Sequence, residues 1–290
     1  MIRNRKTDYG SYAFLLPAFI VYFSVIVIPV FYSFYVSLFK WNGIAEMEYV
    51  GLKNYRNLIL SDPVFLTSVK NNMIWIFLTL IFTVSISLGL AVMLNNNFRG
   101  RTFFRGLFYF PCVLAPIAVS IIWRWMYNPV IGFVNEFARA LGSEWTQTWL
   151  SNPKTALYAI FVASLWQGIG QPMILFLAGL QTVPEEVLEA AIIDGAGKVR
   201  RFFLVTVPLM RETFIVVIAT LIIASMKVFD IVYGLTGGGP NNSTQMLSTY
   251  MYIQTFMYNN VGTGATISCI MVIIMLIVII PYISFTAKED

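Results

Sequence analysis

Glu189-Ala190-Ala191, then Gly195 and, thirteen residues further on, Pro208 stand in a short charged stretch between long apolar runs. Nothing in that set makes or breaks covalent bonds. A lone carboxylate beside two alanines leaves a low helix surface that another protein's backbone can approach closely. Gly195, after Asp194, reaches backbone angles that other residues avoid, so it supplies a turn. The chemistry is docking. Upstream, Thr182 and Glu185 have the Thr-x-x-Glu spacing of a capping box, Pro184 suits a first helical turn, and Glu185 and Glu186 complement the helix dipole. The expected helix carries Val187, Leu188 and Ala191 on one face. Lys198, Arg200 and Arg201 follow at headgroup level, and Pro208 opens the next apolar run. On residue types alone, the stretch is equally an ordinary capped helix at a membrane surface with solvated charges.

A second set stands out by where it lies. Arg124, Lys227 and Asp230 are ionisable groups inside apolar runs, where charge is costly and a functional role is the default expectation. Lys227 and Asp230, three apart on one expected helix, can pair, and Ser225 and Tyr233 extend a polar stripe along it. Trp166, Gln167, Gly170 and Gln171 form an aromatic and amide patch on the preceding run. Each set has a structural counterpart. The charged pair can snorkel to the interface, and the glutamines can join helices. Arg124, among Trp123, Trp125 and Tyr127, reads first as an interfacial anchor.

The elements that must position these residues are apolar throughout. The 290 residues are 58% hydrophobic, 16% aromatic and 11% charged, with a mean hydropathy of +0.74. Soluble domains carry about 25% charged residues, so a soluble core is excluded. There is no histidine, and Cys112 and Cys269 both sit in apolar runs, so neither a zinc site nor a disulfide framework can be built. Six runs are long enough to cross a hydrocarbon core about 30 Å thick: residues 12–38, 69–94, 104–127, 156–180, 207–235 and 262–285. The first is too long for a signal peptide and lacks a cleavage site. Prolines 17, 29, 111, 116, 172 and 281 fall within these runs, as kinks or as breaks beside an aqueous path.

Basic residues set the orientation. Arg3, Arg5, Lys6, Arg99, Arg101, Arg105, Lys198, Arg200, Arg201, Arg211 and Lys288 collect on one side. Lys40, Lys53, Arg56, Lys70, Arg139 and Lys154 are spread more thinly on the other. Both termini and loop 182–206 are therefore expected in the cytoplasm. The expectation is one all-α domain over residues 1–290, a polytopic membrane protein with six transmembrane helices. Outer loop 40–68 carries the turn sequences Trp41-Asn42-Gly43 and Asp62-Pro63. Loop 128–153 contains an amphipathic patch at 133–141 suited to a membrane surface. Thr-Gly-Gly-Gly-Pro-Asn-Asn at 236–242 reads as a flexible break after a helix.

The full spacing Glu-Ala-Ala-x3-Gly-x9-Val-x-Val-Pro resembles the cytoplasmic coupling loop of ABC importer permeases, with Val205 and Val207 for the usual isoleucine and leucine. The resemblance extends to Gly51-Leu52-Lys53-Asn54-Tyr55, Phe103-Phe104-Arg105-Gly106-Leu107-Phe108-Tyr109-Phe110-Pro111 and Trp123-Arg124-Trp125-Met126-Tyr127-Asn128-Pro129. Leu177-Ala178-Gly179-Leu180-Gln181 and Thr236-Gly237-Gly238-Gly239-Pro240 fit the same carbohydrate-uptake branch, related to maltose and glycerol-phosphate importers.

That resemblance implies the type I ABC importer permease fold in a bacterial cell membrane. It implies a heterodimer with a second permease, ATPase subunits below, and an extracytoplasmic solute-binding protein delivering a sugar. Glu185, Glu189, Ala190, Ala191, Asp194, Gly195 and Pro208 would form the loop gripped by the ATPase. Trp166, Gln167, Gly170, Gln171, Ser225, Lys227, Asp230 and Tyr233 would line the sugar path, since sugars stack on aromatic rings and bond through their hydroxyls. The chain has no phosphate-binding loop, so ATP and magnesium would reside on the ATPase, and no cofactor, metal, catalytic residue or nucleic-acid partner is expected here. Glycerol-phosphate, polyol or other solutes remain alternatives. So does an ion-coupled secondary carrier using Lys227 and Asp230, although its paired repeats are not evident. A membrane enzyme lacks the histidine or carboxylate cluster it would need.

Overall fold

A computed structural model describes residues 14–142 and 147–287, with side chains described as far as Ser284. Arg3, Arg5, Lys6 and Lys288, which contribute to the orientation argument, lie outside the described residues. Three described helices are long and apolar enough to cross a membrane alone: Leu16–Val36, Pro63–Asn95 and Val261–Ser284. Three more candidate spans are bent pairs, Arg101–Val113 with Pro116–Met126, Ala156–Gly168 with Gly170–Gln181, and Lys198–Leu209 with Arg211–Met226. Among the described residues the chain is thus all-helical and polytopic apart from one two-stranded hairpin.

The chain divides into two compact units. The first comprises residues up to Ser61 together with Met251–Ile270. In it, helix Leu16–Val36 leads to the hairpin of Phe39–Lys40 and Glu48–Tyr49. Asn42 Oδ1 accepts from the amides of Ile44 and Ala45, and Gly43 adopts φ +92°, so Trp41-Asn42-Gly43 forms the turn its sequence suggests. Asn54 donates to the Ser37 and Phe39 carbonyls, both at 2.9 Å, and Thr266 Oγ1 donates to Ser37 O at 3.1 Å.

The second unit runs from Asp62 to Tyr250 and takes up the chain again at Met271. Its second span starts at Pro63, not at residue 69 as expected, because Asp62 is a true N-cap. Asp62 Oδ1 accepts from Val64 N and Phe65 N, and Pro63 occupies the first turn, where its missing N–H costs nothing. One core gathers Trp75, Val119, Ile160, Phe161, Val232, Leu235 and Met246; another gathers Ala91, Leu94, Met173, Phe176, Met210 and Val217. Small residues let the helices approach. A Cβ on Gly170 would lie 2.7 Å from the Phe108 carbonyl, and one on Gly179 would lie 2.3 Å from Thr213 Oγ1.

Two features of the expected span 207–235 depart from expectation. Pro208 does not open a span: it sits in the last turn of helix Lys198–Leu209, the first half of a bent candidate span whose second half, Arg211–Met226, follows after a 73° bend. The π turn Phe202–Thr206 precedes Pro208 as π turn Phe23–Val27 precedes Pro29, re-routing the hydrogen bond that proline cannot donate. The expected span 207–235 is also broken. Its helix ends at Met226, and a second one, Asp230–Thr236, follows residues 227–229. Neighbouring side chains satisfy the carbonyls freed there: Asn72 Nδ2 donates to Ser225 O at 3.0 Å, and Ser248 Oγ donates to Val228 O.

The glycine-rich stretch at 236–242 is an ordered loop rather than a flexible break. Gly237 and Gly238 take φ of +60° and +92°, Thr236 and Thr244 hydroxyls bond each other at 2.7 Å, and Thr244 N donates to Gly238 O. Asn71 clamps its far side, donating to the carbonyls of Ser243 at 2.8 Å and Gln245 at 2.9 Å.

Candidate functional site

Inside the second unit lies a cavity of about 290 Å³. The Ala156–Gly168 and Gly170–Gln181 pair supplies Phe161, Ser164 and Gln171 to it, and helix Arg211–Met226 supplies Thr220 and Ser225. Helix Pro63–Asn95 supplies Trp75, Thr79 and Thr83, the last two delimiting a π turn inserted in that span. Trp75 and Phe161 meet edge to face with centroids 5.3 Å apart, giving one aromatic wall. Among the described residues, the side-chain polar groups of Thr79, Thr83, Ser164 and Gln171 bond no protein group, so they remain available to a solute. Among the described residues no ionisable one lines the cavity. Hydroxyls, one amide and aromatic faces without charge suit an uncharged polyhydroxylated solute.

The eight residues expected to line a path separate into two groups. Gln171 and Ser225 do line the cavity. Trp166, 36% exposed, packs against Trp123 at 6.0 Å instead. Gln167 is interhelical glue: its Nε2 donates to Leu114 O at 2.9 Å, while Cys112 Sγ donates to Gln167 O at 2.8 Å. Gly170 is a packing residue against Phe108 and Tyr109. Lys227 and Asp230 do not share a helix and form no ion pair, since the break at 227–229 ends one helix before the other starts. Among the described residues the ion pairs are Lys40–Glu48 and Glu136–Arg139. Tyr233 stacks on Phe229 at 5.2 Å and 12°. Arg124, expected as an anchor, donates through Nη2 to the carbonyls of Gly234 and Leu235 and so caps helix Asp230–Thr236.

Trp75, Thr79, Thr83, Ser164 and Thr220 escaped the sequence reading. A signal was present for two of them: Thr79, Thr83 and Ser87 recur every fourth residue in an otherwise apolar run, and Thr83 and Ser87 are buried.

The charged stretch folds as helix Glu185–Ile193. The expected capping box does not form: Pro184 is the N-cap, and Thr182 Oγ1 turns back to Gly179 O at 2.8 Å, closing the preceding helix. The C-terminal turn follows the sequence. Gly195, at φ +78°, donates to Ile192 O at 3.0 Å, and Ala196 N donates to Ala191 O at 2.9 Å, a Schellman closure. Leu188 and Ala191 face inward, with Leu188 against the Met210 and Phe176 core, while Val187 turns outward. Glu185, Glu189, Ala190 and Asp194 are exposed, as are Ile193 at 85% and Val199 at 72%. Exposed carboxylates beside uncovered aliphatic side chains make a surface for another protein.

Comparisons with known proteins agree with this geometry. Residues 81–287 match the family described as binding-protein-dependent transport system inner membrane component. A probable ABC transporter permease protein of Pyrococcus horikoshii is 34% identical over 279 residues, covering 96% of this chain and 95% of its own. The multiple sugar-binding transport system permease protein of Streptococcus mutans is 32% identical over 294 residues, covering 100% and 99%. A chain of a bacterial ABC transporter involved in the import of the acidic polysaccharide alginate superposes with a TM-score of 0.84 at 19% identity, over 97% of this chain and 96% of that one.

Proposed function

The chain belongs to the binding-protein-dependent transport system inner membrane component family, and from that premise we propose that it carries sugar as one permease subunit of an ATP-driven importer. The observation that carries the substrate class is the uncharged cavity, in which Gln171, Thr79, Thr83 and Ser164 hold free hydrogen-bonding capacity beside Trp75 and Phe161. An apolar ring face and several hydroxyls are what such a wall accommodates. The sugar-transport relative in Streptococcus mutans supports the same class.

The chain works with others. A separate ATPase binds ATP and magnesium and grips the Glu185–Ile193 helix, whose exposed Glu189, Ile193 and following Val199 form the contact. Loop 182–206 and both termini face the cytoplasm, in accord with the basic residues Arg99, Arg101, Arg105, Lys198, Arg200 and Arg201. A second, different permease completes the path, and an extracytoplasmic binding protein delivers the sugar, in keeping with the family's description. The test is affinity purification from native membranes followed by reconstitution. A second permease, an ATPase and a binding protein should co-purify, and the complex should take up sugar only with ATP. Recovery of this chain alone, or uptake driven by an ion gradient without ATP, would overturn the reading.

A further inference from the structure

We propose that a separate pocket around Arg124 is a second sugar site, which receives a neutral sugar ring before that ring reaches the inner cavity; this rests on the sugar-import reading above. The pocket has a volume of about 430 Å³, within the range of small-ligand sites, roughly 300–1,000 Å³. Three segments of the second unit build it: the end of helix Pro116–Met126 with Tyr127 and Asn128, residues 148–151, and the end of helix Asp230–Thr236 with Gly239 and Pro240. It shares no lining residue with the inner cavity. Helix Asp230–Thr236 links the two. Val228, just before it, lines the inner cavity, and Leu235 and Thr236, at its far end, line the outer pocket. Seven residues at 1.5 Å each make that step about 10 Å.

The walls have the chemistry a pyranose needs. Trp149 presents an aromatic ring, and the buried Tyr127, 5% exposed, backs it with centroids 5.9 Å apart. Arg124 is held by its Nη2 bonds to Gly234 and Leu235, while its Nε and Nη1 donate to no protein group among the described residues. The Asn128 Nδ2 and the hydroxyls of Thr148 and Ser151 are likewise unengaged among the described residues. Asn128 is nonetheless fixed in place, its Oδ1 accepting from the amides of Val130 and Ile131. Aromatic faces take the C–H side of a ring, and these pre-positioned donors take its hydroxyls at little ordering cost. Among the described residues no carboxylate lines the pocket, and the carbonyl end of helix Asp230–Thr236 offsets the Arg124 charge. A neutral ring is therefore accepted without a counter-charge.

The test fills the pocket from its exposed rim. Thr148→Trp and Ser151→Trp place bulk there without touching the Arg124 bonds, and Lys154→Trp, exposed and outside the pocket, controls for bulk alone. The whole complex is reconstituted with its binding protein, and import of radiolabelled glucose and maltose is measured beside ATP hydrolysis. Sugar imported per ATP should fall about tenfold in both pocket variants, the effect of ~1.4 kcal/mol of lost affinity, with binding-protein-stimulated hydrolysis at the level of Lys154→Trp. Unchanged import by the variants would overturn the second site while leaving sugar import standing. A proportional loss of hydrolysis and import would also overturn it, by making the pocket a docking face for the binding protein. A wild-type complex that imports neither sugar with ATP would fail the import reading itself, and this site with it.

Discussion

Gln167 and Leu114 are joined across two bent helix pairs: Gln167 Nε2 donates to the Leu114 carbonyl at 2.9 Å, at the 100° bend between helices Arg101–Val113 and Pro116–Met126. The chain turns here, and Ala118 N, the helical partner of that carbonyl, donates to Ala115 O instead, so in lipid the Leu114 carbonyl needs a substitute. Gln167→Leu should therefore destabilise the fold by about 1–3 kcal/mol, the cost of an orphaned buried acceptor. Thermal unfolding in detergent reads this out. Uptake per folded molecule should stay near wild type, and an unaltered melting temperature would contradict the bracing role.

Gln171, four residues on, should behave in the opposite way. Its amide faces the inner cavity and bonds no protein group among the described residues, so Gln171→Leu leaves nothing orphaned. Expected are an unchanged melting temperature and sugar uptake reduced by about tenfold, equal to roughly 1.4 kcal/mol of solute interaction. Thr83→Val should act in the same direction. Full uptake by both variants would remove the cavity from the path.

Gly170 tests packing rather than polarity. Its added Cβ would lie 2.7 Å from the Phe108 carbonyl, 2.8 Å from Tyr109 Cα and 2.9 Å from Cys112 Sγ. Two of those neighbours are backbone, so the helices must separate, and Gly170→Ala should cost about 1–3 kcal/mol. Lower yield and melting temperature are expected. A fully stable Gly170→Ala protein would mean that the two helices pack less closely than this.

Much of the scaffold could be read from residue types, because long apolar runs and proline or glycine punctuation act locally. Asp62-Pro63, Trp41-Asn42-Gly43 and Asp194-Gly195 all form the turns or caps their sequences suggest. What was not legible depends on partners distant in the chain. The break at residues 227–229 is made tolerable by Asn72 and Ser248, which lie far from it in sequence, so the apolar run around it looks continuous. Lys227 and Asp230 consequently look like a helical pair, although the chain parts them. Gln167 and Gln171 illustrate the same limit. Both are glutamines on one apolar run, and only the positions of Leu114 and the cavity tell brace from lining. Thr182 has the right spacing for a cap, yet it closes the helix behind it, its hydroxyl and its own N–H both donating to Gly179 O.

Gly195 and Glu189 test the docking helix. Gly195 sits at φ +78°, and its N–H closes the Schellman turn on Ile192 O, so substitution attacks geometry and hydrogen bonding separately. Gly195→Ala retains the N–H and carries only the left-handed backbone cost, about 1–2 kcal/mol. It should weaken uptake in part. Gly195→Pro removes the N–H and fixes φ near −65°, so the turn cannot form. Glu189→Lys leaves the turn intact and reverses the charge of an exposed side chain. If this helix is where the ATPase grips, Gly195→Pro and Glu189→Lys should both insert and assemble normally in the membrane yet hydrolyse ATP without importing sugar. Gly195→Ala should fall between them and wild type. Parallel assays of membrane insertion, ATP hydrolysis and uptake decide the matter. Normal uptake with both severe changes in place would mean that the force is delivered elsewhere, because no rearranged turn could preserve both the exposed carboxylate and the Schellman closure.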